Sequence, residues 1–223
     1  MNKKQDLRKI TVTALFCALA FLMTFLFRFK VSFLTFDFKD AVISVVAMLY
    51  GPIYGVVSAA VVSVLELLSV SDTGLYGLIM NFISSGCFAL TCGLVYKFKR
   101  SFSGAIIGVL LSVVSVTTAM IIANIFITPL YMQVPRSAVI ELIPTLLLPF
   151  NLCKSMINAC SLLIIYKPVT SALKRSGLVI SDSNAKFSLN KKSVILITVS
   201  LLVIALAVYF IIFKMGGSFS LFK

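Results

Sequence analysis

The chain has 223 residues, of which 60% are hydrophobic and 12% charged, and its mean hydropathy is +1.10. This composition predicts an integral membrane protein embedded in a lipid bilayer and excludes an ordinary soluble domain. The net charge of +13 favours a basic cytoplasmic membrane face, and we expect no nucleic-acid partner.

The apolar segments are continuous and do not alternate with polar residues, which predicts membrane helices and not a transmembrane barrel. The expected fold is therefore an all-α integral membrane protein, a multi-pass protein of the cell membrane. The predicted spans are, in chain order, Ile10–Phe27, Ala41–Leu49, Ile53–Leu68, Tyr76–Tyr96, Gly104–Ile127, Thr145–Tyr166 and Ser193–Phe213.

The first span carries Ala14 and Ala18 at a spacing that would let another helix approach closely. Alanine is also common in membrane helices. The spacing alone therefore favours neither a helix-contact surface nor an ordinary lipid-facing stretch. The run that contains it reaches Phe27, too long for a typical signal-peptide core, and it is predicted to be retained.

The loop before the second span is both acidic and aromatic. Asp37 and Asp40 stand at the expected start of that span, where carboxylates can cap a helix. The phenylalanines around them suit the wall of a pocket or the membrane interface.

Two charged residues lie deep in predicted spans. Lys154 precedes the next basic residue, Lys167, by thirteen positions, about 20 Å of helix. A lysine at such depth costs about 2.5–3.5 kcal/mol on insertion scales. Glu66 is the acid of the third span, and two interpretations stay open: a functional residue, or an ion-pair partner of Lys154.

Buried amides accompany these charges. Asn151, Ser155 and Asn158 share a helical face with Lys154, and Asn81 and Asn124 lie on two other spans. Such a convergent polar set inside an apolar bundle suits a neutral, planar, hydrogen-bonding ligand. The alternative from another class is a small ion- or proton-coupled transporter that uses Glu66 and Lys154.

Enzyme chemistry is not indicated. The sequence has no histidine and no Cys-x-x-Cys pair among its five cysteines, and we find no phosphate-binding glycine loop. We therefore expect no catalytic residue, no metal site and no cofactor.

The domain organisation and orientation follow from the spans and the basic residues. We expect a six-span substrate-binding bundle over 1–175, a polar basic cytoplasmic linker over 176–192, and an additional transmembrane helix with a short tail over 193–223. Thirteen lysines and arginines lie on the side of the N-terminus and six on the opposite side, which predicts a cytoplasmic N-terminus and an external C-terminus. The last span has no polar stripe and is predicted to be a lipid-facing anchor outside the site.

Several motifs together resemble the substrate-binding subunits, or S components, of energy-coupling factor (ECF) transporters, in particular the riboflavin-specific branch. The matching features are Ala14-xxx-Ala18, Phe36-Asp37-Phe38-Lys39-Asp40, Tyr50-Gly51-Pro52-Ile53-Tyr54-Gly55 before Glu66, Gly77 through Asn81-Phe82, Ala123-Asn124 before Pro129-Leu130-Tyr131, and Pro149-Phe150-Asn151-Leu152-Cys153-Lys154.

The resemblance implies a six-helix bundle that binds riboflavin or a related vitamin near its outer face, here with one extra C-terminal helix. It implies that Asn124, Asn151 and Lys154 contact the flavin ring and that the loop with Thr35, Phe36, Asp37 and Asp40 lines the site, beside Glu66 and Asn81. It also implies that Ala14 and Ala18 face a transmembrane coupling subunit, which two ATPase subunits drive, and that the bundle topples in the membrane.

The chain departs from the family pattern in two places. Glu66 is followed by Leu67-Leu68-Ser69 where members often carry a lysine-asparagine pair, and the seventh span is unusual for the family. That span would have to leave the bundle free to topple.

Overall fold

The computed structural model describes residues 3–178 and 191–219. Within them the chain forms eight α-helices and three short strands. The helices are α1 (Lys3–Leu26), α2 (Lys39–Tyr50), α3 (Pro52–Ser69), α4 (Gly74–Phe98), α5 (Phe102–Met132), α6 (Arg136–Leu142), α7 (Leu148–Arg175) and α8 (Lys191–Lys214), and the strands are β1 (Phe29–Val31), β2 (Leu34–Phe36) and β3 (Ser218–Phe219).

Six helical segments of the described chain are long and apolar enough to cross a bilayer. They are Gln5–Leu26, Pro52–Ser69, Gly74–Phe98, Phe102–Met132, Arg136–Leu173 and Ser193–Lys214. These segments confirm the predicted membrane protein, and the predicted second span is the exception. It corresponds to α2, which has 12 residues and a length of about 18 Å.

Helix α2 is short and lies in the centre of the bundle. It packs against α1, α3, α4 and α7, and its residues from Lys39 to Met48 are all buried. The turn at Gly51 (φ 107°) and Pro52 joins it to α3, as the Gly-Pro sequence predicts. A side chain at Gly55 would come within 2.5 Å of the Ala47 Cβ, so glycine permits the close contact of α3 with α2.

The helices pack by apolar contact and expose apolar side chains around the outside. One buried cluster joins α1, α2, α3, α4, α5 and α7 and includes Phe16, Ile43, Phe88 and Leu162. Large apolar residues such as Leu15, Ile53 and Leu110 are exposed on the surface. An apolar surface of this kind is expected where lipid is the solvent.

Two helices extend past their predicted spans. The fifth span was predicted to end near Ile127, but α5 continues through Pro129 to Met132. The sixth was predicted over Thr145–Tyr166, and α7, which contains Pro168, continues to Arg175. A proline inside a membrane helix is tolerated because neighbouring groups satisfy the backbone it disrupts.

A small antiparallel sheet stands at the end of the bundle where α1 leads into α2. Strands β1 and β2 form a hairpin, with Lys30 opposite Thr35, and β3 from the C-terminal tail pairs with the other edge of β1. A second buried cluster lies beneath the hairpin and includes Val31, Phe36, Leu147, Ala207 and Ile211.

Helix α8 differs in one respect from the predicted lipid-facing anchor. Most of its surface is exposed, but it packs along α7 and buries Ala207 and Ile211 in the second cluster. Most of the predicted linker over 176–192 falls on residues 179–190, outside the described residues.

Candidate functional site

A cavity of about 320 Å³ opens between the hairpin and the adjoining ends of the bundle helices. Its size lies within the range of small-molecule sites. The residues that line it include Thr24, Phe33, Thr35, Asp37, Lys39, Glu66, Tyr76, Asn81, Met120, Asn124, Tyr131, Phe150, Asn151 and Lys154. Seven of the nine predicted substrate-binding residues are therefore brought together here, from the hairpin loop and four helices.

Four charged side chains in the wall of this cavity form an alternating chain, which we call the charged quartet: Lys154, Asp37, Lys39 and Glu66. The Asp37 Oδ2 lies 3.1 Å from the Lys154 Nζ and 3.4 Å from the Lys39 Nζ. The Lys39 Nζ donates to both Glu66 oxygens at 2.7 Å. The quartet has no net charge, and its side chains are at most 8% exposed.

The ion pair of Glu66 with Lys154, one of the two interpretations left open for Glu66, does not form. Lys154 binds Asp37 and donates to the Thr35 carbonyl oxygen at 3.1 Å, whereas Glu66 binds Lys39. A charge buried among apolar helices is tolerated when it is paired and hydrogen-bonded. Lys39 supplies the positive charge that pairs with Glu66. Lys154 therefore contacts the hairpin side of the cavity instead.

Asp37 holds the quartet together at the start of α2. Burial would raise the pKa of its carboxyl, but the positive charges of Lys154 and Lys39 outweigh burial and hold the pKa below its usual value. Its Oδ1 accepts from the Lys39 backbone N–H at 3.3 Å. Asp37 therefore also hydrogen-bonds to the first backbone N–H of α2, the kind of contact predicted for a carboxylate at this helix start.

Glu66 accepts two further hydrogen bonds. The Asn81 Nδ2 donates to one carboxylate oxygen at 2.7 Å and the Thr24 hydroxyl donates to the other at 2.9 Å. Asn81 and Glu66 thus both line the cavity, and they also form a hydrogen bond with each other. Thr24 and Lys39 were not among the predicted site residues, although both line the cavity.

The amides of Asn124 and Asn151 lie on α5 and α7, on the side of the cavity that also carries Lys154. Each Nδ2 donates to the carbonyl oxygen one turn earlier, of Met120 and of Leu147 respectively. The Asn124 Oδ1 accepts from Thr128 at 2.9 Å. These bonds fix both amides in place before any ligand binds.

Two predicted site residues do not line the cavity. Successive side chains of a strand point to opposite faces, so Thr35 reaches the cavity while Phe36 packs into the second cluster. Asp40 is the second residue of α2 and accepts from the Ser85 hydroxyl inside the bundle.

Asn158 has a structural role at the start of α2. Its Oδ1 accepts from the Ala41 N–H at 3.0 Å, and its Nδ2 donates to the Asp37 carbonyl oxygen at 2.9 Å. It therefore caps α2 from the neighbouring α7 and is absent from the cavity lining. The sequence predicts that Asn158 lies on the polar face of its helix, but not that Asn158 caps α2.

Aromatic side chains complete the cavity. The Phe33 and Tyr131 rings meet edge to face at 6.0 Å, and Tyr76 lies 6.2 Å from Tyr131. Phe150 adds a buried ring next to Asn151. Tyr131 follows Pro129-Leu130 in one of the family motifs of the sequence analysis, and that motif indicated a position near the site. Tyr76 had no such signal.

The predicted contact alanines lie on the outside of the bundle. Ala14 and Ala18 are exposed on α1, whereas Phe16 and Ala20 of the same helix are buried. The exposed alanines leave a shallow strip on a helix that is otherwise lined outside by leucines such as Leu15 and Leu22. Such a strip permits close approach of another helix.

Metal-ligand groups are not found in the described residues. No group of three or more Cys, Asp or Glu side chains there has the arrangement to hold a metal ion. The cysteines of residues 3–178 are free thiols. The cavity offers hydrogen bonds, paired charges and aromatic rings as means to bind a molecule.

Comparison with known proteins gives the same picture. Residues 8–169 match the family model "ECF transporter, substrate-specific component". The riboflavin transporter RibU of Staphylococcus aureus (strain TCH60) is 31% identical over 186 residues, which cover 78% of this chain and 96% of that protein. The riboflavin transporter FmnP of Bacillus subtilis (strain 168) is 28% identical over 162 residues, which cover 67% of this chain and 85% of that protein.

A solved structure of the S component of a bacterial ECF transporter has the same fold. Its TM-score is 0.65 at 27% identity, with 76% of this chain and 99% of that chain covered. The fold is that of an S component, a helical membrane bundle with a cavity at its hairpin end. The chain belongs to the family of substrate-specific components of ECF transporters. Members of this family are transport subunits and not enzymes, and ATP hydrolysis resides in separate subunits.

Proposed function

We propose that this protein binds riboflavin with high affinity in the cavity beneath the hairpin, for import by an ECF transporter. The observation that carries the proposal is the wall formed by Asn124, Asn151 and Lys154, which presents amides and an ammonium group to a cavity bordered by aromatic rings. The names of the relatives, two riboflavin transporters with 28–31% identity, support the same ligand.

The chemistry of the wall suits the isoalloxazine ring. One edge of that ring alternates carbonyl oxygens and N–H, and asparagine offers both a donor and an acceptor to such an edge. The Lys154 ammonium can donate to a ring carbonyl, and aromatic side chains can cover the ring faces. Because the charges of the quartet are paired with one another, these four side chains present no unpaired charge to the ligand.

The partners follow from the outer face of α1. We propose that Ala14 and Ala18 contact the transmembrane coupling subunit, which is driven by two ATPase subunits. Their exposure beside buried Phe16 and Ala20 supports this assignment, since a strip of small side chains lets a partner helix pack closely.

The orientation is part of the proposal. A cytoplasmic N-terminus would place the hairpin and the cavity at the external face, because α1 crosses the membrane before the hairpin begins. The basic residues on the N-terminal side support this arrangement. The vitamin would then enter the cavity directly from outside the cell.

The experiment is a direct measurement of the ligand. The full chain, purified in detergent from cells, is expected to be yellow and to show the flavin absorbance band. After removal of the bound ligand, it should quench the fluorescence of added riboflavin and leave biotin and thiamine unbound. A colourless protein that also leaves riboflavin fluorescence unchanged would contradict the assignment.

A further inference from the structure

The C-terminal tail joins the hairpin that forms one wall of the cavity. Strand β3 pairs with β1, with Ser218 opposite Lys30 and Phe219 opposite Phe29. A segment more than 180 residues away in sequence thus completes the sheet next to the cavity. Backbone pairing of this kind restrains the edge strand of a two-stranded hairpin, which is marginal by itself.

Apolar packing reinforces this connection. Ile211 and Ala207 of α8 lie in the same buried cluster as Val31 and Phe36 of the hairpin. The turn between α8 and β3 is tight: the Gly217 N–H donates to the Ile211 carbonyl oxygen at 3.0 Å. A Cβ at Gly217 would lie 2.9 Å from the Ile211 Cγ2 and 3.2 Å from the Val31 Cγ2.

The opposite side of the same hairpin belongs to the site. Lys30, Phe33 and Thr35 line the cavity, and the Thr35 carbonyl oxygen accepts from Lys154. The hairpin therefore connects the C-terminal tail on one side with the cavity wall on the other. A displacement of the hairpin would change both together.

This tail lies outside the part of the chain that defines the family. The family match ends at residue 169, whereas α8 begins at Lys191 and β3 at Ser218. The arrangement is an addition to the shared bundle, and the match to the family assigns it no role.

We propose that α8 and β3 form a C-terminal strap, residues Ser193–Phe219, that holds the hairpin against the cavity and slows the exchange of ligand. Ile211 and Gly217 are its positioning residues. The proposal rests on the proposed function for the identity of the ligand. For the ligand to leave past the hairpin, the β1–β3 pairing and the apolar contacts beneath it must loosen, and each adds to the barrier for release.

The test compares two glycine substitutions in the full chain, with riboflavin as the probe. Gly217→Ala places a methyl group against Ile211 and Val31, whereas Gly86→Ala is the matched control, since its nearest neighbour is a Phe82 ring atom at 3.7 Å. We expect riboflavin to dissociate about tenfold faster from Gly217→Ala, equivalent to about 1.4 kcal/mol, and at the wild-type rate from Gly86→Ala. A second variant that ends at Lys214 should release riboflavin at least as fast.

A second readout does not depend on the ligand. Hydrogen exchange of the β1 amides, Phe29–Val31, should be faster in Gly217→Ala and in the shortened chain, and unchanged in Gly86→Ala. If wild-type protein binds riboflavin but both strap variants release it at the wild-type rate, the strap is refuted and the proposed function stands. If wild-type protein fails to bind riboflavin, the proposed function fails, and unchanged β1 exchange in the variants would refute the strap as well.

Discussion

The two ends of the bundle are built from the same helices but differ in the kind of side chain that they bury. At the hairpin end, α2, α3, α7 and the loop before α2 contribute the charged quartet and a cavity with aromatic walls. Towards the opposite end, the bundle packs through apolar residues such as Leu162 and Met48. The difference shows that buried charge is concentrated at the cavity, while the other end provides an apolar frame.

The largest effect expected from altering this frame is on assembly. Replacing both Ala14 and Ala18 with tryptophan should abolish riboflavin uptake by cells, because the bulky rings would block the approach of the coupling subunit. Binding of riboflavin to the purified variant should remain at the wild-type level. The control is Leu110→Trp and Val114→Trp, two exposed positions of α5 at the same spacing, which should retain uptake. Loss of binding in the alanine variant would place the alanines in the bundle core.

The next largest effect is expected within the quartet. Lys39→Met removes the only lysine bonded to Glu66 in the described residues and leaves a carboxylate buried without its counter-charge. The cost should be about 3–5 kcal/mol in the free energy of unfolding, measured by chemical denaturation in detergent. Lys97→Met, at an exposed position, serves as the control. Equal stability of the two variants would show that the quartet contributes little to the fold.

Lys154 should behave differently from Lys39. Lys154→Ala is expected to weaken riboflavin binding at least about tenfold, a loss of about 1.4 kcal/mol, while the protein remains folded, because Asp37 retains Lys39 as a partner. Fluorescence titration and circular dichroism measure the two properties. Lys99→Ala, an exposed position, is the control. Unchanged affinity would mean that Lys154 serves only as a structural partner of Asp37.

The smallest effect is expected at the start of α2, beside the quartet at the hairpin end. Asn158→Ala removes the cap of the Ala41 N–H and should lower the free energy of unfolding by about 1–2 kcal/mol. Ser63→Ala is the control, because the buried Ser63 hydroxyl has no hydrogen-bond partner within the described residues. If both substitutions had the same effect, Asn158 would not act as a cap.

Much of the site could be predicted from the sequence because intramembrane charge is conspicuous. Lys154 and Glu66 interrupt apolar runs, and the helical period places Asn151 beside Lys154. The structure confirms the membrane bundle and brings Asn81, Asn124, Asn151, Asp37 and Thr35 to one cavity. That these residues contact a flavin stays a prediction.

The pairings could not be predicted in the same way. Lys39 reads as a loop residue, and only the burial of α2 in the bundle centre brings it to Glu66. The strand direction that turns Phe36 away from the cavity depends on where the hairpin begins. The two-residue strand β3 is too short to produce a pattern. Each of these features depends on contacts between distant parts of the chain, which periodicity does not report.

The neutrality of the quartet has a consequence for energetics in a living cell. A transmembrane potential acts on each uncompensated charge moved across the bilayer with about 2.3 kcal/mol per 100 mV. Lys154, Asp37, Lys39 and Glu66 pair two positive with two negative charges. If the site moved across the membrane, these four side chains would therefore carry no net charge through the field.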